Sequence, residues 1–148
     1  MSSSVKAVVD RLNHLLGSAN VFARKVRHFH WNVKGRQFFT LHIQFEELYG
    51  EWAEFGDAIA ERVVAIGGKP HATLTDDVKQ SGIKEETQYP EADAMVKTLI
   101  ADMESLRTAI HESYAIAEAA DDRTTEDLLD EIRDGLDTRL WKFQAYMA

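Results

Sequence analysis

An all-α fold, with four long helices in a bundle and a long crossover between the second and third, follows from three observations. Four stretches carry apolar residues at every third or fourth position, the spacing of an amphipathic helix. Recognisable start and stop signals bound these stretches. Between the second and third lie residues 71 to 90, too many for a tight antiparallel turn and enough to cross the length of a bundle.

Ser3 or Ser4 is placed to cap the first helix, whose core face is Val5, Val8, Val9, Leu12, Leu15, Leu16, Ala19, Phe22, Val26 and Phe29. The second runs from Phe38 to Ile66 on Leu41, Phe45, Leu48, Trp52, Phe55, Ile59 and Val63, and Gly67-Gly68-Lys69-Pro70 stops it. Within the crossover, Leu74 to Lys79 is predicted to form a short helix. Proline is favoured at a first helical position, so the third long helix should begin around Pro90-Glu91, with Val96, Leu99, Ile100, Met103, Leu106 and Ile110 facing inward. Thr124 with Asp127 resembles a capping box opening the fourth, on Leu129, Ile132, Leu136, Leu140 and Phe143. No internal repeat or low-complexity segment interrupts this pattern, and residues 1–148 read as one domain with a genuine core.

No run of about 18 apolar residues is present, and MSSSVKAVVD lacks the apolar centre of a signal peptide. The chain is therefore expected to be soluble, intracellular and cytoplasmic, with no membrane partner. The absence of cysteine excludes disulfides, iron–sulfur clusters and thiolate zinc sites. The net charge of −8 is unevenly spread. Lys6, Arg11, Arg24, Lys25, Arg27, Lys34 and Arg36 face only Asp10 in residues 1–36, whereas nine acids face Arg123 and Arg133 in residues 118–137.

Five metal-capable side chains, His30, His42, Glu46, Asp57 and Glu61, carry the strongest functional signal. At ~100° per residue the last four fall at roughly 0, 40, 60 and 100° around the second helix, forming one polar stripe. His42 and Glu46 are i,i+4 neighbours, as are Asp57 and Glu61. The centres of the two pairs are nevertheless ~22 Å apart along the axis, while ligand bonds are only about 2.0–2.2 Å. One metal cannot touch both pairs of one chain. A two-fold axis near residues 51 and 52 would lay this helix antiparallel against its copy, bringing His42 and Glu46 opposite the partner's Asp57 and the partner's Glu61. The short turn Gly35-Arg36-Gln37 would bring His30 alongside. Mixed imidazole and carboxylate donors in this number suit iron or manganese, against the plainer alternative of an ordinary solvated helix face.

HWNVKG, then LH twelve residues after that first histidine, then DAIAER and GG, resemble the signature of the Dps mini-ferritins over nearly the whole chain. The resemblance implies a ferritin-like four-helix subunit in a hollow dodecamer built from antiparallel dimers. It implies a ferroxidase that oxidises Fe(II), preferably with hydrogen peroxide rather than oxygen, at a di-iron or mono-iron site on the dimer interface, and stores ferric mineral. By that resemblance the intersubunit ligands fall on His30, His42 and Glu46 of one chain and Asp57 and Glu61 of the other. Glu46 stands where many members have Asp, which affects distances more than chemistry. No Glu is followed by His three residues later, which argues against an intrasubunit di-iron centre.

Other features carry two readings each. Asp127, Asp130 and Asp134 share a helix face behind Asp121 and Asp122; they either line an acidic iron entry route or form a solvated helix start favoured by the dipole. Trp31 and Trp52 flank the proposed site as packing anchors or as acceptors of oxidising equivalents. His28 neighbours His30 but reads as surface or packing, and His14, His71 and His111 read as structural. The rival functions are a DNA-compacting protein and an assembly protein whose stripe holds no metal. DNA binding is not expected, because only Met1, Ser2 and Ser3 clearly precede the first helix, the last residues, Lys142 to Ala148, are not basic, and the net charge opposes phosphate.

Overall fold

The computed structural model describes residues 1–148 as five helices: α1 (Ser3–Asn32), α2 (Phe38–Ala65), α3 (Leu74–Gln80), α4 (Ala92–Ala119) and α5 (Arg123–Met147). Ser2, not Ser3 or Ser4, caps α1. It is the residue with extended backbone, and its hydroxyl accepts from the Val5 amide at 3.2 Å. At the far end of α2, Gly67 takes φ 88°, and the amides of Gly68 and Gly67 donate to the carbonyls of Val63 and Val64. These bonds close the helix as a Schellman motif. Gly68 also permits close packing, since a Cβ there would sit 2.6 Å from Val9.

Two starts differ from expectation. Pro90 lies outside α4, because Glu91 is still extended (φ −66°, ψ 159°) and serves as the N-cap; the proline fixes the approach to the helix instead of its first turn. Asp122, not Thr124, caps α5. Its carboxylate accepts from the Thr125 amide at 3.1 Å and the Thr125 hydroxyl at 2.5 Å, and is itself gripped by Arg62 at 2.7 Å. A charged acceptor held in this way outcompetes a threonine two residues later.

Cross-helix pairs give the topology. Val9 meets Gly68 near the start of α1, whereas His28 meets Gln88 near its end, so the crossover spans the bundle lengthwise. Lys25 pairs with Asp102 and Arg11 with Glu112, which sets α4 antiparallel to α1. Arg139 pairs with Glu47 and Arg62 with Asp122, which sets α5 antiparallel to α2. The bundle therefore closes in the order α1, α2, α5, α4.

The crossover is pinned almost wholly to α1. Asn13 donates to the Lys69 carbonyl and accepts from the His71 amide, and Ser18 accepts from the Gly82 amide. Where α3 crosses α1, Gly17 makes room, since a Cβ there would lie 2.7 Å from the Asp77 carbonyl oxygen. The predicted apolar faces form one core of 30 buried residues, with Val5, Phe55, Ile66 and Ile100 half-buried at its rim.

Candidate metal centre

α1 reaches Asn32 and α2 begins at Phe38, so the turn between them folds the two helices back with His30 against His42. Their imidazole rings stack at 3.8 Å with 14° between planes. His30 Nδ1 donates to the His42 carbonyl oxygen at 2.7 Å, and His42 Nδ1 donates to the His30 carbonyl oxygen at 2.8 Å. The second bond satisfies one of the last carbonyls of α1, which has no partner in its own helix. A carbonyl can only accept, so each neutral ring must carry its hydrogen on Nδ1 and leave a lone pair on Nε2. That is the tautomer in which Nε2 is free to act as an acceptor.

His30 is buried, at 7% exposure, and His42 is half-buried. Glu46, Asp57 and Glu61 are all exposed and make no hydrogen bond or ion pair within the chain. No three metal-capable side chains converge inside one chain. The structure thus brings together His30 and His42, leaves the carboxylates as unpartnered acids along the same helix face, and does not assemble them.

At the level of residues 51 and 52 the outward side of α2 is not Trp52. That ring is 1% exposed and packs edge-on against Phe22 at 5.4 Å and Phe55 at 5.2 Å. The surface there is Ala53 and Gly50, where an added Cβ would meet nothing within 4 Å, so a second helix could approach closely. Trp52 is thus the packing anchor expected of it, whereas Trp31 is not. It is 58% exposed, with the guanidiniums of Arg24 and Arg27 over its ring at 4.9 and 5.9 Å.

Sequence reading missed two neighbours of the histidines. Tyr49 meets the His30 ring edge-on at 5.4 Å, and Phe38 meets His42 in the same way at 4.9 Å. Tyr49 follows His42 by seven residues, two helical turns on the same face, and that spacing was the available signal.

The remaining histidines do other things. His28 Nε2 donates to the Gln88 carbonyl at 2.8 Å while its Nδ1 faces the Asn32 amide, so both nitrogens are engaged and it is a pin rather than a ligand. His71 meets Asp77 at 2.6 Å, and Asn20 donates to the same carboxylate oxygen, locking the crossover on α1. Burial, and then the Arg11 charge, lower the His14 imidazole below its ordinary value. His111 is exposed and without a hydrogen bond, which is not the structural role expected of it.

The charged segments also resolve. In the basic first helix Lys6 pairs with Asp10, Arg11 with Glu112 and Lys25 with Asp102, while Arg24 and Arg27 lie on aromatic rings. Asp121, Asp127, Asp130 and Asp134 stay exposed. Asp122 does not join them as a free acid: burial would raise its carboxyl, but the Thr125 and Arg62 hydrogen bonds outweigh that and hold it below the usual range.

A family model described as "Ferritin-like domain" matches residues 9–148. The chain is 41% identical to the "DNA protection during starvation protein 2" of Bacillus anthracis, over 96% of this chain and 97% of the relative. A crystal structure of a Dps protein from Bacillus brevis superposes with a TM-score of 0.98 at 38% identity, covering 100% of this chain and 99% of that one. A Dps protein from Vibrio cholerae O1, described as a member of a broad superfamily of ferritin-like diiron-carboxylate proteins, superposes with a TM-score of 0.95 at 25% identity, covering 99% and 92%.

Proposed function

This chain belongs to the Dps family of ferritin-like proteins, and on that premise we propose that it is a ferroxidase that oxidises Fe(II) at sites shared between two subunits and stores the ferric product. The observation that carries the proposal is the reciprocal His30 and His42 pair, which engages both Nδ1 atoms and leaves two Nε2 lone pairs free beside a helix that carries three exposed carboxylates. One half-site is His30, His42 and Glu46 of one subunit. The other is Asp57 and Glu61 of an antiparallel second copy. Iron is the substrate here, held by imidazole nitrogen in its ferrous form and favoured by hard carboxylate oxygen once ferric.

Hydrogen peroxide is the preferred oxidant over oxygen. Two Fe(II) ions give up one electron each, the peroxide O–O bond breaks, and two protons complete two waters, so no hydroxyl radical is released. The assembly is a hollow dodecamer of such dimers in the cytoplasm, with mineral inside. The exposed acids at the start of α5 serve as its iron entry route by drawing cations to them.

The name of the Bacillus anthracis relative favours a second reading, direct protection of DNA. Against direct contact stand a net charge of −8 per chain and a first helix whose basic groups are paired or stacked. Removal of Fe(II) and peroxide protects DNA without touching it. The test is anaerobic Fe(II) loading followed by peroxide or oxygen, read by ferric absorbance alongside native mass. Stoichiometric oxidation by a closed oligomer supports the proposal; an active monomer or no oxidation overturns it.

A further inference from the structure

Resting on the shared-site reading above, we propose that Tyr49 is a positioning residue for that site, holding the His30 ring so that its Nε2 stays aimed at the metal. One face of His30 is closed by the parallel His42 ring at 3.8 Å, and its Nδ1 edge is tied to the His42 carbonyl. The Tyr49 ring also meets His30 edge-on at 5.4 Å with 69° between the rings, a second contact that limits the rocking left to the imidazole. Phe38 meets His42 in the same edge-on manner, at 4.9 Å and 70°. Each imidazole of the stacked pair therefore has an aromatic ring of its own against it.

Tyr49 is itself backed from α1. The Arg27 guanidinium lies 4.7 Å over its ring, a cation–π contact, and Arg27 stands three residues before His30 on the same side of α1. Neither the Tyr49 hydroxyl nor Arg27 makes a hydrogen bond or ion pair within the chain. The ring, and not the hydroxyl, makes the contact with His30. Loosening a group that orients a metal-binding histidine typically costs about 10–100-fold in metal affinity. Phenylalanine should replace tyrosine here, while a side chain without the ring should not.

The test uses the assembled protein and Co(II), which reports ligand geometry by visible absorption without being oxidised in the assay. Wild type and Tyr49→Phe should bind Co(II) with the same affinity and spectrum. Tyr49→Ala, at unchanged native mass, should bind about tenfold more weakly with an altered spectrum. In iron oxidation Tyr49→Ala should raise KM for Fe(II) about tenfold while kcat stays within about twofold, because the ligands themselves remain. If Tyr49→Ala does not assemble, Tyr49→Leu keeps apolar bulk without a flat ring and carries the same expectation. Equal affinity and spectrum for the ringless variant overturns the proposal, and so does a loss in Tyr49→Phe as large as in Tyr49→Ala. Absence of saturable Co(II) absorption in wild type, with Glu61→Ala as the reference for a lost ligand, overturns the shared site and this inference together.

Discussion

His30 and His42 hold each other by a reciprocal pair of hydrogen bonds, each ring's Nδ1 on the other's carbonyl oxygen at 2.7 and 2.8 Å. His42 is thereby both a candidate ligand and a cap on the last turn of α1, whereas the carboxylates of the stripe are exposed and make no hydrogen bond or ion pair in their own chain.

These two kinds of residue should separate in metal-free thermal unfolding. His42→Ala should lose about 1–2 kcal/mol, through a missing hydrogen bond and a carbonyl left without a donor. Glu46→Ala, Asp57→Ala and Glu61→Ala should unfold at the wild-type temperature or above it, since each removes an unpaired negative charge.

Lys25 and Asp102 form a buried ion pair at 2.8 Å between α1 and α4. Burial pushes the Asp102 carboxyl up, against the pull of the Lys25 hydrogen bond and charge. Lys25→Met should cost about 3 kcal/mol at neutral pH by leaving a buried carboxylate alone. That loss should shrink on acidification, as Asp102 takes up a proton. Lys25→Met with Asp102→Leu should recover most of it, and denaturant unfolding of the two variants provides the check.

The Arg62 grip on Asp122 joins α2 to the turn before α5. Because the Asp122 carboxyl is held below its unfolded value of about 3.9, its contribution is present above that pH and is lost as pH falls through the folded value. Arg62→Met should cost about 1.5 kcal/mol at neutral pH, and its stability should converge on wild type below about pH 4. A gap that stays constant into acid would show that Asp122 contributes nothing through its charge.

At physiological salt the assembly should not retard duplex DNA, because the basic groups of α1 are already paired or stacked. Tight, salt-sensitive retardation in a mobility assay would show that Arg24, Arg27, Lys34 or Arg36 remains available to phosphate.

The four long helices and the short one in the crossover were legible in the sequence because burial imposes a period that apolar residues record, from Val8 to Phe29 and from Leu129 to Phe143. Caps were less legible. Ser2, Ser3 and Ser4 offer the same hydroxyl, and only the backbone decides which one faces free amides. Asp122 displaced Thr124 because of Arg62, sixty residues away in sequence. The polar stripe could be read by angle and rise, yet the reciprocal histidine bonds and the rings of Phe38 and Tyr49 depend on how the Gly35 turn folds α1 onto α2. Trp52, read on the core face of α2 at the height of the proposed two-fold axis, is buried as that face requires, which leaves Gly50 and Ala53 as the outward side there.

The central claim, that each site is built from two chains, is tested most directly by mixing two inactive variants: His42→Ala with Glu46→Ala, and Asp57→Ala with Glu61→Ala. Each alone should lose fast iron oxidation. In a mixed dimer one site receives both damaged halves, while the other combines intact His42 and Glu46 from one chain with the partner's Asp57 and the partner's Glu61, both intact. Unfolding and reassembling the mixture should restore part of the rate, up to one working site per mixed dimer. If native mass confirms mixed dimers and no activity returns, the ligands lie within a single chain and the shared site is wrong.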